Sequence, residues 1–145
     1  MYKNYELWIP LEKIPTGTAQ QKGEQVVNGR IHHFTKKKVT ETANLLIKEL
    51  DEAMKDSHPD FIPFEEGEAI GLAFTFHYPT KTKKRWGMYK TSRPDNDNLV
   101  KLPNDCITKM GWWHDDSQIA FLQVVKKWVP ADKGGIGIQM WRLRS

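Results

Sequence analysis

The sequence has a single cysteine and no apolar run long enough to cross a membrane. Cys106 has no partner within the chain, which excludes an intrachain disulfide and fits a reducing compartment. A spanning helix needs about 20 consecutive apolar residues, so we expect no membrane segment. Residues 1–10 have no long apolar core, so we expect no signal peptide either. These absences predict a cytoplasmic protein without a membrane partner.

Acidic residues are outnumbered by basic ones. The chain has 22 Lys and Arg against 18 Asp and Glu, which gives a formal net charge of +4. This balance favours an anionic partner, although many basic proteins bind no nucleic acid. The 145 residues, 39% of them hydrophobic, fit a single domain over residues 1–145 with a real core.

Hydrophobic periodicity predicts strands alternating with two helices, which places the chain in the α+β class. The predicted strands cover residues 5–9, 70–76, 86–90, 119–128 and 135–143, and the predicted helices cover 36–54 and 97–110. We expect Pro79 to end the second strand, residues 86–90 to pair with it, and the last two strands to form a hairpin. Residues 25–27 and 31–34 form either another hairpin, which turns at Asn28-Gly29, or a surface loop. The expected fold is a small mixed or antiparallel sheet with two main helices packed on it.

The second predicted helix separates a polar face from an apolar face. At about 100° per residue, the polar face carries Asp97, Lys101, Asp105 and Thr108, and the opposite face carries Leu99, Leu102, Cys106 and Met110. Gly111 is a plausible C-cap. Pro103 is unfavourable in a helix interior, so we expect either a kink there or a later start of the regular helix.

Three aspartates are the candidate metal ligands. Asp95 and Asp97 precede the second helix, and Asp116 follows it after the break at Gly111. A helix and a return loop can bring Asp116 back to the first pair, and three carboxylates suit Mg²⁺ acting on a phosphate. Simpler functions also fit this pattern. Asp97 can cap its helix, and Lys101 can form an ordinary i,i+4 ion pair with Asp97.

Other polar and aromatic residues near this motif also have two interpretations. Lys81, Lys83, Lys84 and Arg85 form either a solvated turn or a contact to phosphate backbone. Trp112 and Trp113 either stack on bases or, as we prefer, anchor the core or an interface. His114 is either a general base or ligand or, more simply, a surface residue.

The acidic motif as a whole resembles the RusA family of Holliday junction resolvases. The segment from Arg93 to Lys101, then Asp105, then the segment from Trp113 to Ile119 match the family pattern Pro-Asp-x-Asp-Asn-x-x-Lys followed by Asp-Asp-x-Gln-Ile. The resemblance covers residues 93–128 and is specific in residue type and spacing. The N-terminal part is more similar to phage-borne members than to chromosomal ones.

This resemblance implies a homodimeric α+β endonuclease that makes paired nicks in four-way DNA junctions. It implies Mg²⁺ as cofactor, with Mn²⁺ as a substitute, and no nucleotide cofactor. By position, the metal ligands are Asp95, Asp97 and Asp116, the catalytic lysine is Lys101, and the accessory acid is Asp115. The DNA-binding residues are Arg93 within the matched pattern, and outside it Lys81, Lys83, Lys84, Arg85 and Lys90. The gene would be carried by a phage, a prophage or a bacterial chromosome.

Two other functions stay open at this point. One is a junction-binding protein without cleavage activity, which the intact acidic residues and Lys101 disfavour. The other is a metal-dependent glycosyltransferase that uses Asp95 and Asp97. The short chain and the expected lack of a nucleotide-binding βαβ unit disfavour this second alternative.

Overall fold

The structure, a computed structural model, describes residues 3–16, 25–27, 30–32 and 34–144. Within these ranges the chain forms the elements β1 (Asn4–Pro10), β2 (Gln25–Val27), β3 (Arg30–His32), α1 (Phe34–Ser57), β4 (Ile70–Thr80), α2 (Asn96–Met110), β5 (Ile119–Pro130) and β6 (Gly135–Arg142). Short 3-10 turns cover Lys83–Arg85 and Asp116–Gln118. The predicted α+β class, with a mixed sheet and two main helices, is confirmed.

Four of the strands form one mixed sheet in the order β1-β6-β4-β5. β6 runs antiparallel to both β1 and β4, whereas β4 and β5 are parallel. The predicted hairpin between β5 and β6 is therefore wrong, because β4 lies between them. Residues 131–134 instead cross the end of β4. Gly134 permits this passage, because a Cβ there would lie 2.6 Å from the carbonyl oxygen of Leu11 and 2.9 Å from the Pro79 ring.

β4 also continues through Pro79, contrary to the prediction that Pro79 ends it. Its pairing with β6 stops at His77, so the last residues of β4 have a neighbour on one side only. Proline is tolerated where its missing N–H faces no strand.

The predicted strand at 86–90 is wrong as well. These residues contribute a single antiparallel bridge, between Tyr89 and Lys127, and this bridge joins them to β5 rather than to β4. The 3-10 turn over Lys83–Arg85 and the positive φ of 84° at Gly87 take the backbone out of the extended conformation.

The core lies on one face of the sheet, beneath the two helices. In β1, β4 and β6 the inward residues alternate with outward ones, as the pleat requires. The inward side chains are Tyr5, Leu7 and Ile9, then Ile70, Leu72, Phe74 and Phe76, then Ile136, Ile138 and Met140. α1 covers them with Leu46, Leu50 and Met54, and α2 with Leu99, Leu102, Cys106 and Ile107. This arrangement leaves the polar face of α2 outside the core.

α2 is a continuous helix from Asn96 to Met110, and Pro103 lies within it as a buried residue. The expectation of a later helix start is therefore wrong. Gly111 ends the helix in the left-handed conformation with φ 76°, so the predicted C-cap is confirmed.

Two further expectations concern topology. The parallel pair β4 and β5 is connected through α2 and forms a βαβ crossover. The expectation concerned a nucleotide-binding unit of this kind, and its absence stays a prediction. The hairpin alternative for β2 and β3 is confirmed, while its turn at residues 28–29 lies outside the described residues. None of the helices in the described ranges is long and apolar enough to cross a membrane.

Candidate active site

Asp95 and Asp97 lie at the N-terminus of α2. Asp95 is the N-cap residue, and Asp97 belongs to the first helical turn. Both side chains are exposed. Asp95 makes no side-chain capping hydrogen bond, so capping does not account for this carboxylate. The partial positive charge of a helix N-terminus stabilises carboxylates in this position.

Lys126 of β5 holds the chain that leads into this acidic pair. Its ammonium donates to the carbonyl oxygens of Ser92 and Pro94, both at 2.8 Å. The side-chain amide of Asn96 also reaches β5 and donates to the carbonyl oxygen of Val124 at 3.4 Å. The start of α2 and the residues just before it are therefore attached to the edge strand of the sheet at three alternate positions, 92, 94 and 96.

Lys90 supports the same segment from within the protein. Its ammonium lies 5.0 Å from the ring centre of Tyr78 and 4.8 Å from that of Trp128. It donates to the carbonyl oxygen of Arg93 at 2.7 Å and also to the Ser92 hydroxyl. The residue is 8% exposed, and desolvation by this burial lowers the pKa of its ammonium. Although Lys90 was predicted to bind DNA, these contacts favour support of the loop.

Lys101 lies one helical turn after Asp97, and its side chain is exposed. Its ammonium is 3.4 Å from the side-chain oxygen of Asn98. The part of the chain that the structure describes contains no ion pair between Lys101 and Asp97. The simple i,i+4 pair is thus absent, and the ammonium can reach an anionic ligand.

Gln118 fixes the segment that carries Asp116. Its side-chain oxygen accepts the backbone N–H groups of His114 and Asp115 at 2.9 and 3.0 Å. Its amide nitrogen donates to the carbonyl oxygens of Glu65 and Glu68 at 2.8 and 3.1 Å. One side chain therefore closes the turn before β5 and attaches it to the loop before β4.

The two carboxylates in this turn have different environments. The Ser117 hydroxyl donates to Asp115 at 2.7 Å and lowers the pKa of that carboxyl. Desolvation, followed by the charge of Asp115, raises the pKa of Asp116, and the charge of Asp105 adds to this effect. Asp116 thus lies in a negative electrostatic environment that a bound cation would relieve.

The donor chemistry of these residues fits a hard divalent cation, since exposed carboxylates are the oxygen ligands that Mg²⁺ prefers. Residues 3–16 and 40–144, whose side chains are described, contain no assembled group of three or more His, Cys, Asp or Glu able to hold a metal. The grouping of Asp95, Asp97 and Asp116 in one metal site therefore stays a prediction.

The other predicted DNA-binding cations are on the surface. Their side chains are exposed, and they are Lys81, Lys83, Lys84, Arg85 and Arg93. Arg85 also packs against the ring of Trp128, with its guanidinium carbon 5.3 Å from the ring centre. The segment before the acidic pair therefore presents positive charge to the solvent.

The structure also shows the surroundings of the aromatic, cysteine and histidine residues near the acidic motif. Trp112 and Trp113 are 6% and 1% exposed, which confirms the core interpretation. The Trp113 indole N–H donates to the hydroxyl of Thr108 at 2.7 Å, so Thr108 has a structural contact. Burial raises the pKa of Cys106 to about 11, in line with its predicted core position. His114 is exposed, 3.7 Å from Glu66.

Sequence reasoning did not find the positions that hold these loops. Lys126 and the amide nitrogen of Gln118 donate to residues more than twenty positions away in the chain, and no local pattern reveals such partners. The contacts of the Gln118 oxygen with His114 and Asp115 are local, and a capping-box spacing indicates them. One signal was available, since two lysines, Lys126 and Lys127, interrupt a mostly apolar strand between Val125 and Trp128.

Exposed carboxylates suit a divalent metal that acts on a phosphate, and the exposed cations that precede them in the chain suit a nucleic-acid backbone. Together they indicate the class of metal-dependent nucleases. Comparison with known proteins agrees with this class. The chain belongs to the endodeoxyribonuclease RusA family, whose model matches residues 13–140. The resemblance found in the acidic motif is therefore confirmed.

Named relatives include proteins of phages and of bacteria. A crossover junction endodeoxyribonuclease of Lactococcus phage r1t is 38% identical over 136 residues, which cover 94% of this chain and 96% of the relative. The corresponding proteins of Escherichia coli strain K12 and Enterobacteria phage 82 are each 42% identical over 66 residues, 46% of this chain and 50% of the relative. The similarity to the Lactococcus phage protein thus extends over nearly the whole chain.

Proposed function

We propose that this protein resolves four-way DNA junctions by metal-dependent cleavage of phosphodiester bonds. The observation that carries the proposal is the acidic N-terminus of α2, whose approach loop is attached to β5 by Lys126 in a chain of the RusA family. Family membership supports an endonuclease and disfavours the glycosyltransferase alternative. Because hydrolysis needs only water and a metal, no nucleotide cofactor is required.

In this proposal Asp95, Asp97 and Asp116 hold Mg²⁺, with Mn²⁺ as an alternative metal. A metal held by these residues would supply a water of lowered pKa and would neutralise charge that develops on the phosphate. Asp115 is the accessory acid, and its hydrogen bond from Ser117 fixes its orientation beside Asp116. The exposure of Asp95 and Asp97 supports this assignment, because the ligands must be open to both metal and DNA.

The cations bind and orient the substrate. Lys101 places a fixed positive charge one helical turn from Asp97, where it can contact the scissile phosphate or the leaving oxygen. The exposed cations of the segment before α2 bind the phosphate backbone of the junction arms. Arg93 is the one nearest to Asp95 in the chain. Most of the affinity would then come from residues that do not bind the metal.

The proposed assembly is a homodimer that acts on DNA in the cytoplasm of a bacterial cell. A four-way junction has two-fold symmetry, and a dimer with the same symmetry presents two equivalent sites to it. Two sites are needed because resolution requires paired nicks. The similarity to a phage protein over nearly the whole chain supports a phage or prophage origin.

The test is cleavage of an end-labelled synthetic four-way junction, with a linear duplex of the same sequence as the substrate control. Reactions contain Mg²⁺ or EDTA, and wild-type protein, Asp97→Asn or Asp132→Asn. Asp132 is an exposed aspartate in the turn between β5 and β6, which makes it the matched control.

We expect paired symmetric nicks with wild type and Asp132→Asn in Mg²⁺, and none in EDTA. Asp97→Asn should bind the junction and lose cleavage. Cleavage by Asp97→Asn at the wild-type rate would remove Asp97 from the site. Tight junction binding without nicks in any divalent ion would identify a junction-binding protein without cleavage activity. Equal cleavage of junction and duplex would contradict junction selectivity.

A further inference from the structure

Three large apolar side chains are exposed within four residues of the connection between β4 and α2. Trp86 is 39% exposed, Met88 56% and Tyr89 67%. We call residues 86–89 the apolar ridge. Single exposed apolar residues need no explanation, but a cluster on a surface marks a binding site. The question is which partner fits this one.

The backbone of the ridge is fixed, although its side chains are exposed. The Gly87 N–H donates to the Trp128 carbonyl at 2.8 Å, and the Trp128 N–H donates to the Met88 carbonyl at 2.9 Å. The indole N–H of Trp86 donates to the carbonyl oxygen of Thr80 at 2.9 Å. Because these bonds already order the backbone, a partner gains contact area without the entropic cost of ordering a loop.

The charge around the ridge identifies an anionic partner. Between Glu68 and Asp95 the chain has six Lys and Arg and no Asp or Glu. The ammonium of Lys127 lies 5.4 Å from the centre of the Tyr89 ring, so positive charge reaches the ridge from β5 as well. Apolar and aromatic faces interleaved with cations suit nucleic acid whose bases are unstacked and whose phosphates are close by.

The ridge is also continuous with the candidate active site. The Lys90 N–H donates to the carbonyl oxygen of Lys126 at 2.9 Å, and the ammonium of Lys126 holds the residues before Asp95. A ligand at the acidic pair would therefore approach the ridge along the same edge of β5. Base stacking is interrupted where four DNA arms meet, so base faces become available at that point.

We propose that the apolar ridge packs against nucleobases at the branch point of the DNA, with Tyr89 as its principal stacking residue. This inference rests on the proposed function, since it names the part of the junction that the chain contacts beside the site of cleavage. Junction selectivity then arises from the ridge, whereas the cations contact phosphates that duplex and junction share.

The experiment compares Tyr89→Ser and Tyr89→Phe with Ile62→Ser in the full-length protein. Ile62 is 69% exposed and lies before β4, outside the β4–α2 connection, so it controls for loss of an exposed apolar side chain. Affinity for a four-way junction and for linear duplex is measured by fluorescence anisotropy in EDTA. A junction with 2-aminopurine at the branch point, or in one arm, reports base contacts. Size-exclusion chromatography with light scattering reports the oligomeric state.

We expect Tyr89→Ser to weaken junction binding by about 5- to 100-fold, the range for loss of one stacked base. Duplex binding should change less than about twofold, and Tyr89→Phe should retain the wild-type affinity because it keeps the ring. Wild type should change the 2-aminopurine signal at the branch point only, and Tyr89→Ser should abolish this change. Ile62→Ser should match wild type throughout.

Four results would overturn the inference. The first two are unchanged junction binding by Tyr89→Ser and equal losses of affinity for junction and for duplex. The third is a changed oligomeric state that accounts for the loss of junction affinity. The fourth is binding of the protein to phosphatidylglycerol vesicles that depends on Tyr89. If wild type neither prefers nor cuts junctions, the proposed function itself fails. If wild type does both and Tyr89→Ser binds normally, only the ridge inference fails.

Discussion

Lys126, within β5, donates a hydrogen bond to the carbonyl oxygen of Pro94, the residue directly before Asp95. A side chain of the strand thereby holds the backbone immediately before the N-terminus of α2. Since β5 pairs with β4 along its whole length, the position of the acidic pair is fixed relative to the sheet rather than to a free loop. This relationship makes the sheet part of the support for the candidate site.

Lys126→Met should slow junction cleavage by about 10- to 100-fold. The change removes two charge-assisted hydrogen bonds, each worth about 1.5–3 kcal/mol, and about 1.4 kcal/mol of lost positioning is a tenfold change in rate. Single-turnover cleavage at saturating enzyme separates this effect from binding. Lys133→Met, in the exposed turn after β5, is the control.

Lys126→Arg is informative beside it, because a guanidinium can still donate to both carbonyl oxygens and should recover part of the rate. The assignment fails if Lys126→Met cuts as fast as wild type. It also fails if only the affinity for DNA decreases while bound junctions are cut normally.

Gln118→Glu should lower the free energy of unfolding by about 1–3 kcal/mol, because two backbone carbonyls lose their donor and face a carboxylate. The hydrogen bonds that this variant loses are those from the Gln118 amide nitrogen to the carbonyl oxygens of Glu65 and Glu68. Urea denaturation followed by tryptophan fluorescence measures the change. Gln123→Glu, an exposed position on β5, should be nearly neutral, and equal losses in the two variants would show that the contacts of Gln118 do not matter.

Stability should decrease as pH falls below about 6.5 because of His77. Burial, and to a lesser extent the charge of Lys127, lowers the pKa of His77 below its ordinary value of about 6.5. The unfolded chain then binds a proton at a higher pH than the folded one, so the contribution present above pH 6.5 is lost as pH falls through the folded pKa. Thermal unfolding between pH 7.5 and about pH 5 measures this loss.

His77→Gln should flatten the acid limb of that profile, and Lys127→Met should flatten it partly by removing the nearby charge. An unchanged slope in His77→Gln would assign the pH dependence to other groups.

Local patterns were sufficient for most of the elements. The periodicity of the first helix and the glycine at position 111 identified α1 and the end of α2 correctly. The alternation identified β4 but not its end, which lies beyond Pro79. Local sequence patterns could not predict the order of the strands in the sheet. The short segment 131–134 is compatible with a hairpin and with a passage over the end of β4, and only the packing of β4 between two neighbours decides which occurs.

In the candidate site as well, some residues could be predicted from the sequence and others could not. Asp95, Asp97, Lys101 and Asp116 are recognisable because the motif sets their spacing along the chain. The supporting role of Lys90 could not be predicted from the sequence in this way, since its sequence neighbours suggest a surface cation. Its burial between Tyr78 and Trp128 depends on how β4 and β5 pair.

The pairing of β1 with β6 joins the first described strand to the last described one, from Asn4 opposite Trp141 to Pro10 opposite Gly135. Contacts between such distant residues form slowly, because a long loop must close before they are made. Among the described strands β1 pairs only with β6, so its backbone hydrogen bonds to the sheet cannot form until β6 has left the ribosome. The side chains of α1 that cover Tyr5, Leu7 and Ile9 are made much earlier. The four-stranded sheet is therefore completed only after translation of β6, and a chain shortened before β6 leaves β1 without its partner in this sheet.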